Sequence, residues 1–232
     1  MNAGHAQLLR MREYRQSFEN LSLKLLRNGL NREASKEICE LVKQNKGTVT
    51  AKMISEKGLS LGSLKYLEDK RVLKKVDRGV YVYVSSEEDG LFTLQSRFKR
   101  GIYTGETALF LMGVIDWLHD IYAMSFPRSY NLTNAEADGV CCIQCKKEWQ
   151  EIGMTTAMTP QGHTVKVYNR ERALCDILRG RNKAPVEIAM ECFKRYMDGE
   201  KRDVALLMEY VEIFGLEKAI KPYEAILTEH WC

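Results

Sequence analysis

Glu171, Arg172 and Asp176, within the stretch VYNRERALCDILR, are types that do chemistry when they converge. Clustered charges where a strand runs into a helix can position a metal ion or a phosphate. Their spacing favours a plainer outcome. Arg172 and Asp176 are four apart and Asp176 and Arg179 three apart on one predicted helix, an arrangement that gives surface pairs of about 0.2–0.5 kcal/mol each. Asn169 suits the cap of that helix. Cys142-x-x-Cys145 has the spacing of half a zinc site, but the next candidates, His163 and Cys175, show no ligand spacing between them, and a structural zinc site takes four ligands. The stretch VCCIQC is therefore expected to be a buried strand, and no metal is expected. His119, beside Trp117 and Asp120, is expected to pack or cap a helix end, and His163 follows Gly162 in a hairpin turn. The segment QGH lacks the Gly-rich run and following Lys of a phosphate loop. No Ser–His–Asp, Cys–His or carboxylate pair is identifiable, so an enzyme is not expected, nor a cofactor.

A second group of residues points to binding. In LKKVDRGVYVY, residues 73–83, Lys74, Lys75 and Arg78 surround a tight turn at Asp77-Arg78-Gly79. Val80, Val82 and Val84 then alternate with Tyr81 and Tyr83, the period of a strand. The charge around this hairpin is uneven along the chain. Residues 1–84 hold 17 Lys and Arg against 9 Asp and Glu, a net +8, whereas residues 85–232 hold 18 against 22, a net −4. A basic front joined to a mildly acidic back suits a polyanionic partner for the front.

The elements that must position these side chains follow from periodicity. Leu8, Leu9, Tyr14, Phe18, Leu21 and Leu25 predict an extra amphipathic helix over 5–27, stopped by Asn28-Gly29. Asn31 is expected to cap a helix whose stripe is Ala34, Ile38, Leu41 and Val42. After a short GTV link, Thr50 caps a second helix, AKMISEK, and Ser60 caps a third, LGSLKYLEDK, with Leu61, Leu64 and Leu67 inward. Gly62, Ser63, Lys65, Tyr66, Asp69 and Lys70 are left outward. Helix, short helix, helix and two-stranded ribbon is the order of a winged helix-turn-helix. Such a module lays its third helix in a major groove about 12 Å wide and its ribbon beside the phosphates. The candidate DNA contacts are therefore Thr48, Thr50, Lys52, Ser60, Ser63, Lys65, Tyr66 and Lys70, with Lys74, Lys75 and Arg78 on the wing.

Ser85-Ser86-Glu87-Glu88-Asp89-Gly90 is a polar break. The expected domains are the extra helix over 1–30, the winged module over 31–86 and an α+β domain over 87–232. In the last, a helical connector over 91–100 and a helix capped by Thr104 precede strands near 121–126, 140–145, 152–158 and 164–168. Helices follow near 170–180, 186–198, 204–214 and 217–229, with Pro185 at a start and Pro222 dividing the last. Met190, Met197 and Met208 sit at helical spacing among Phe193, Leu207 and Val211 and are expected to fill core. The fold class is α+β, a winged module followed by a mixed domain that ends in helices. With 45% hydrophobic and 28% charged residues and no long apolar run, the chain is expected to be a globular cytoplasmic protein with no membrane partner. Its seven cysteines, odd in number and scattered without a secretion signal, are expected to stay reduced.

The winged module ending in LKKVDRGVYVY, then GIYTGETALFLMGV, the strand ending in FPRSYN, GHTVKVYNRERALCDILR and the helical tail together resemble the AbiEi family of antitoxins. That family is the regulator half of bacterial abortive-infection toxin–antitoxin pairs. The resemblance spans about residues 31–229 and leaves the helix over 5–27 outside it. It implies a transcription factor that binds repeats in its own promoter and represses both genes. It also implies a neighbouring toxin similar to nucleotidyltransferases, countered without a stable complex, and it makes Glu171, Arg172 and Asp176 the motif of the antitoxin domain. The alternative is an antitoxin that docks the toxin directly through its C-terminal domain.

Overall fold

The computed structural model describes residues 33–179 and 184–229, so the expected helix over 5–27 and the Asn31 cap lie outside the described residues. The fold is α+β. Two compact units divide the chain: Met1–Arg97 with Pro160–His163, and Phe98–Thr159 with Thr164–Cys232.

In the first unit, helix α1 (Glu33–Gln44) buries Ile38, Cys39 and Val42 on one stripe. Strand β1 (Thr48–Thr50), helix α2 (Ala51–Glu56) and helix α3 (Gly62–Asp69) follow. Strands β2 (Leu73–Asp77) and β3 (Val80–Tyr83) form the ribbon. The GTV stretch expected as a link is thus a strand: Thr48 pairs with Val82 and Thr50 with Val80, giving a three-stranded antiparallel sheet in the order β1-β3-β2. Three residues are too few to display a period, and only the partner strand reveals the pairing. Thr50 caps α2 as expected, its hydroxyl accepting the Met53 N–H at 3.2 Å. Ser60 Oγ accepts the Gly62 N–H at 3.2 Å where the chain enters α3.

Two side chains at the start of α3 exchange roles relative to expectation. Leu61 is 50% exposed and Ser63 is buried, because α3 begins at Gly62 and its inward stripe is Ser63, Leu64 and Leu67. Tyr83 is also buried, so burial does not alternate through the end of β3, and Val84 is half-buried beyond the strand end. The core of this unit joins Ile38, Val42, Ile54, Leu64, Leu67 and Leu73 with Val49 of the sheet.

Helix α4 (Gly90–Arg97), expected as a connector, belongs with the first unit, as does the turn Pro160–His163. His163 is not a loose turn residue. It is 7% exposed, with Nδ1 2.7 Å from Asp89 Oδ2 and Nε2 3.1 Å from the Asn45 carbonyl, and its ring stacks on Phe92. Asp89 Oδ1 in turn accepts the Phe92 N–H at 2.9 Å and starts α4. His163→Gln keeps a donor but not both bonds, and it is expected to destabilise the first unit by about 1–3 kcal/mol, read from urea denaturation. A loss below the measurement error would mean that Asp89 is satisfied without this ring.

The second unit is built on a mixed sheet of β4 (Ile102–Tyr103), β5 (Ala123–Pro127), β6 (Cys141–Cys145), β7 (Met154–Met158) and β8 (Thr164–Tyr168), in the order β6-β5-β4-β8-β7. Strands β4/β8 and β5/β6 run parallel; β4/β5 and β7/β8 run antiparallel. Helix α5 (Gly105–Leu111) packs on β5 and β8, and a short helix α6 (Thr133–Ala137) precedes β6. Strand β6 is half-buried over Cys141–Ile143 rather than fully buried, since it lies at the sheet edge.

Helix α7 (Arg170–Ile177) packs against α5, α8 (Val186–Asp198) and α9 (Val204–Phe214). Pro222 divides the tail as expected, with α10 (Glu217–Ile220) and α11 (Glu224–Glu229) on either side of a 3-10 turn. Met197 is buried and Met190 half-buried, but Met208 is 42% exposed and fills no core. Among the described residues no helix is long and apolar enough to cross a membrane.

Candidate nucleic-acid interface

The outward face of α3 carries Gly62, Lys65 and Asp69, with Lys70 just past its end. Tyr66 is half-buried beside them, and the Lys70 ammonium lies 5.8 Å from its ring centre. Leu64 and Leu67 hold the opposite face, so helical spacing alone directs the lysines outward. Arg71 closes the helix with φ 55°, a left-handed conformation, and is exposed. It was not among the expected contacts; the Lys70-Arg71 pair just before β2 is the signal that could have found it.

On the ribbon, Lys75 pairs in register with Tyr81 and Asp77 with Val80, leaving Val76 as a bulge. The turn is Arg78-Gly79, and Gly79 takes φ 74°, the backbone conformation that glycine alone enters cheaply. Lys75 and Arg78 are exposed and make no ion pair among the described residues. Lys74 differs. It is half-buried, and its ammonium sits 2.6 Å from Glu88. Asp77 likewise faces the Arg97 guanidinium at 3.4 Å.

The remaining expected contacts divide by burial. Lys52 is exposed and paired with Glu56 at 3.3 Å, an arrangement of little energetic weight that a phosphate can replace. Ser60 is exposed and Thr50 half-buried, each with its hydroxyl used at a helix start. Thr48 is 1% exposed and Ser63 is 9% exposed, so neither side chain reaches a groove; both are withdrawn from the expected contact set. Their burial follows from β1 lying against β3 and from the phase of α3.

Glu171, Arg172 and Asp176 are not surface pairs. Arg172 is fully buried, Asp176 is 1% exposed and Glu171 is 5% exposed. Arg172 Nε donates to Asp176 Oδ2 at 3.0 Å, and its Nη1 donates to the Trp149 carbonyl at 3.0 Å. The guanidinium lies between aromatic faces, 4.1 Å from the Phe214 ring centre and 4.4 Å from that of Tyr168. Asp176 Oδ2 also accepts the Thr104 hydroxyl at 2.6 Å. That hydroxyl therefore binds a carboxylate instead of capping α5. Glu171 accepts the Tyr196 hydroxyl at 2.9 Å, and Tyr196 in turn accepts the Asp203 N–H at 2.7 Å. Asn169 caps α7 as expected, accepting the Arg172 N–H at 3.0 Å.

Gly153, at φ 74°, passes so close to α7 that a Cβ there would lie 2.8 Å from that of Arg172. The neighbouring Cys175 thiol is pushed up to about 12, by burial first and then by Asp176. Burial and Glu136 raise Cys142 to about 11. These thiols stay protonated at neutral pH. Among the described residues no three His, Cys, Asp or Glu side chains are grouped to hold a metal ion.

The class defined by these features is an α+β protein with a small helix-and-ribbon unit bearing unpaired cations and a larger unit organised around a buried arginine. No family model matches the chain, and no curated protein matches it. Among solved structures, the crystal structure of the RV2827C protein from Mycobacterium tuberculosis is similar, with TM-score 0.52 and 15% identity, over 77% of this chain and 71% of that one. At that identity the likeness bears on fold alone.

Proposed function

We propose that the chain is a DNA-binding autorepressor and the antitoxin of an abortive-infection pair, countering a nucleotidyltransferase-like toxin. The observation that carries the DNA-binding part is the first unit's order of helix, strand, two short helices and ribbon, with exposed Lys65, Lys70, Arg71, Lys75 and Arg78 along α3, its end and the ribbon. In this winged helix-turn-helix reading α3 enters the major groove, where Lys65 and Tyr66 meet base edges, while Lys75 and Arg78 fix the register on phosphates. Asp69 at the far end of the outward face repels backbone phosphate and so tells against deep insertion of the whole helix.

The antitoxin part rests on the resemblance of the sequence stretches quoted above. The buried network on α7 supports a structural role for its motif residues, because fully enclosed Arg172 and Asp176 cannot themselves touch a toxin.

The test uses the full chain and a duplex carrying its own upstream sequence. Binding is expected to exceed that to random duplex by at least about 1,000-fold at physiological salt, the low end for specific DNA readers. Equal affinity for both would end the repressor reading. Docking is the second outcome to watch: a peak in which chain and toxin co-elute on size-exclusion chromatography would replace transcriptional control by direct capture.

A further inference from the structure

The second unit carries an open groove of about 840 Å³. It lies between the Lys99-Arg100 segment that leads into β4, the end of β5, strands β7 and β8, and a 3-10 turn (Lys147–Trp149). Its wall brings together four cations, Lys99, Arg100, Lys147 and Lys166, against two carboxylates, Glu148 and Glu151. Residues 85–232 carry a net charge of −4, so positive charge gathered here runs against the composition of its own part of the chain. A recess lined mainly by one sign of charge concentrates ligands of the other.

Two of the cations stand on a segment that is held in place. The Lys166 ammonium donates to the Lys99 carbonyl at 2.7 Å, and the Gln150 side-chain amide donates to the Arg100 carbonyl at 3.3 Å. A Cβ on Gly101 would lie 2.6 Å from Met124 Cε and 2.9 Å from Phe126 Cε1, so the segment is pressed onto β5. Lys99, Arg100 and Lys147 make no ion pair among the described residues; Arg100 has the Tyr130 ring 5.8 Å away. Their charges are therefore available to an anion, and the Arg100 fork suits a phosphate.

The rest of the wall bears on what the anion is attached to. Ile102, Pro127 and Met154 offer an apolar stretch, while Glu148 and Glu151 accept hydrogen bonds from N–H or O–H groups. A bare inorganic anion would leave both features unused. The volume falls within the roughly 300–1,000 Å³ of ligand pockets, room for a ring, a sugar and a short phosphate chain.

We infer that this groove binds a nucleotide. Its phosphates meet Lys99, Arg100 and Lys147, its base lies against Ile102, Pro127 and Met154, and its hydroxyl or amino groups turn to Glu148 and Glu151. The site is independent of the DNA-binding reading, and either can fail without the other.

ATP, adenosine and tripolyphosphate, titrated into the full chain without divalent cations and read from amide NMR spectra, separate the whole ligand from its two halves. ATP is expected to shift the amides of Arg100, Ile102 and Met154. Adenosine is expected to bind at least about tenfold more weakly, through loss of charge-assisted hydrogen bonds. Tripolyphosphate is expected to be about threefold weaker than ATP, through loss of the apolar contact. Lys99 and Lys147 are exposed, so the double variant Lys99→Ala/Lys147→Ala spares the core; it is expected to weaken ATP about tenfold. Glu148→Gln is expected to strengthen ATP about twofold by removing a screened repulsion. The same spectra report whether each variant is folded. The double variant is also expected to keep its affinity for the upstream duplex. Equal binding of ATP and adenosine, no shift at those amides, or a double variant that binds ATP as the parent does would each overturn the site. Loss of duplex binding in that variant, with no response to ATP in the parent, would assign the groove to DNA and overturn it as well.

Discussion

Arg172→Met is expected to destabilise the protein by about 3–5 kcal/mol, the cost of removing one partner from a buried ion pair. Four observations set that size. The guanidinium is fully buried, it donates to Asp176 and to the Trp149 carbonyl, and it lies between the rings of Tyr168 and Phe214. Methionine replaces the packing but leaves a carboxylate that is 1% exposed with only Thr104 and a misaligned Arg179 for company. In a chain of 232 residues that loss corresponds to a fall in Tm of roughly 6–20 °C by calorimetry. The companion variant is Arg172→Met with Asp176→Leu. Replacing both charges removes the stranded carboxylate, so the double variant is expected to recover a large part of the stability lost by the single one. If the single variant cost less than about 1 kcal/mol, the pair would be behaving as the surface ladder that its spacing suggests.

The second large effect concerns DNA. Replacing Lys65, Lys75 and Arg78 together with alanine is expected to weaken binding to the operator by about 100-fold at 0.1 M salt, at roughly 1 kcal/mol for each lost phosphate or base contact. The slope of log affinity against log salt is expected to fall by about 0.9 for each phosphate contact removed, so by close to 2 if Lys75 and Arg78 both meet phosphates. Lys74→Ala alone is the internal control. Its ammonium is already 2.6 Å from Glu88, so its removal is expected to change the slope less than removal of Lys75. An unchanged affinity and slope in the triple variant would leave the ribbon without a role on DNA, whatever its charge.

The legible parts of this fold were those where a short segment carries its own instruction. Thr50 and Asn169 announce helix starts because their side chains accept N–H groups two or three residues on. The ribbon is visible because a glycine turn separates two strand-forming runs. Strand β1 was not visible, since Thr48–Thr50 becomes a strand only against Val80–Val82. On α3 the inward places of Leu64 and Leu67 were legible, but the helix begins at Gly62, so Leu61 stays outside it and exposed while Ser63 takes the buried place in the first turn.

The acidic and basic residues of α7 show the deeper limit. A four-residue spacing between Arg172 and Asp176 is the same in water as in a core. What distinguishes the two is the set of groups around them, and Thr104, Trp149, Tyr196 and Phe214 come from distant parts of the chain. The apolar run ALC inside the motif was the only local hint that this helix has no wet side.

The first unit is discontinuous in sequence: its helices and ribbon are complete by Arg97, but Pro160–His163 also belongs to it. During synthesis, then, the amino-terminal portion leaves the ribosome before the imidazole that Asp89 and Asn45 need has been made. At roughly 5–20 residues per second the wait is several seconds. A nascent chain paused in that interval would display the first unit without its last piece, so translation speed through the middle of the message sets when that unit can finish folding.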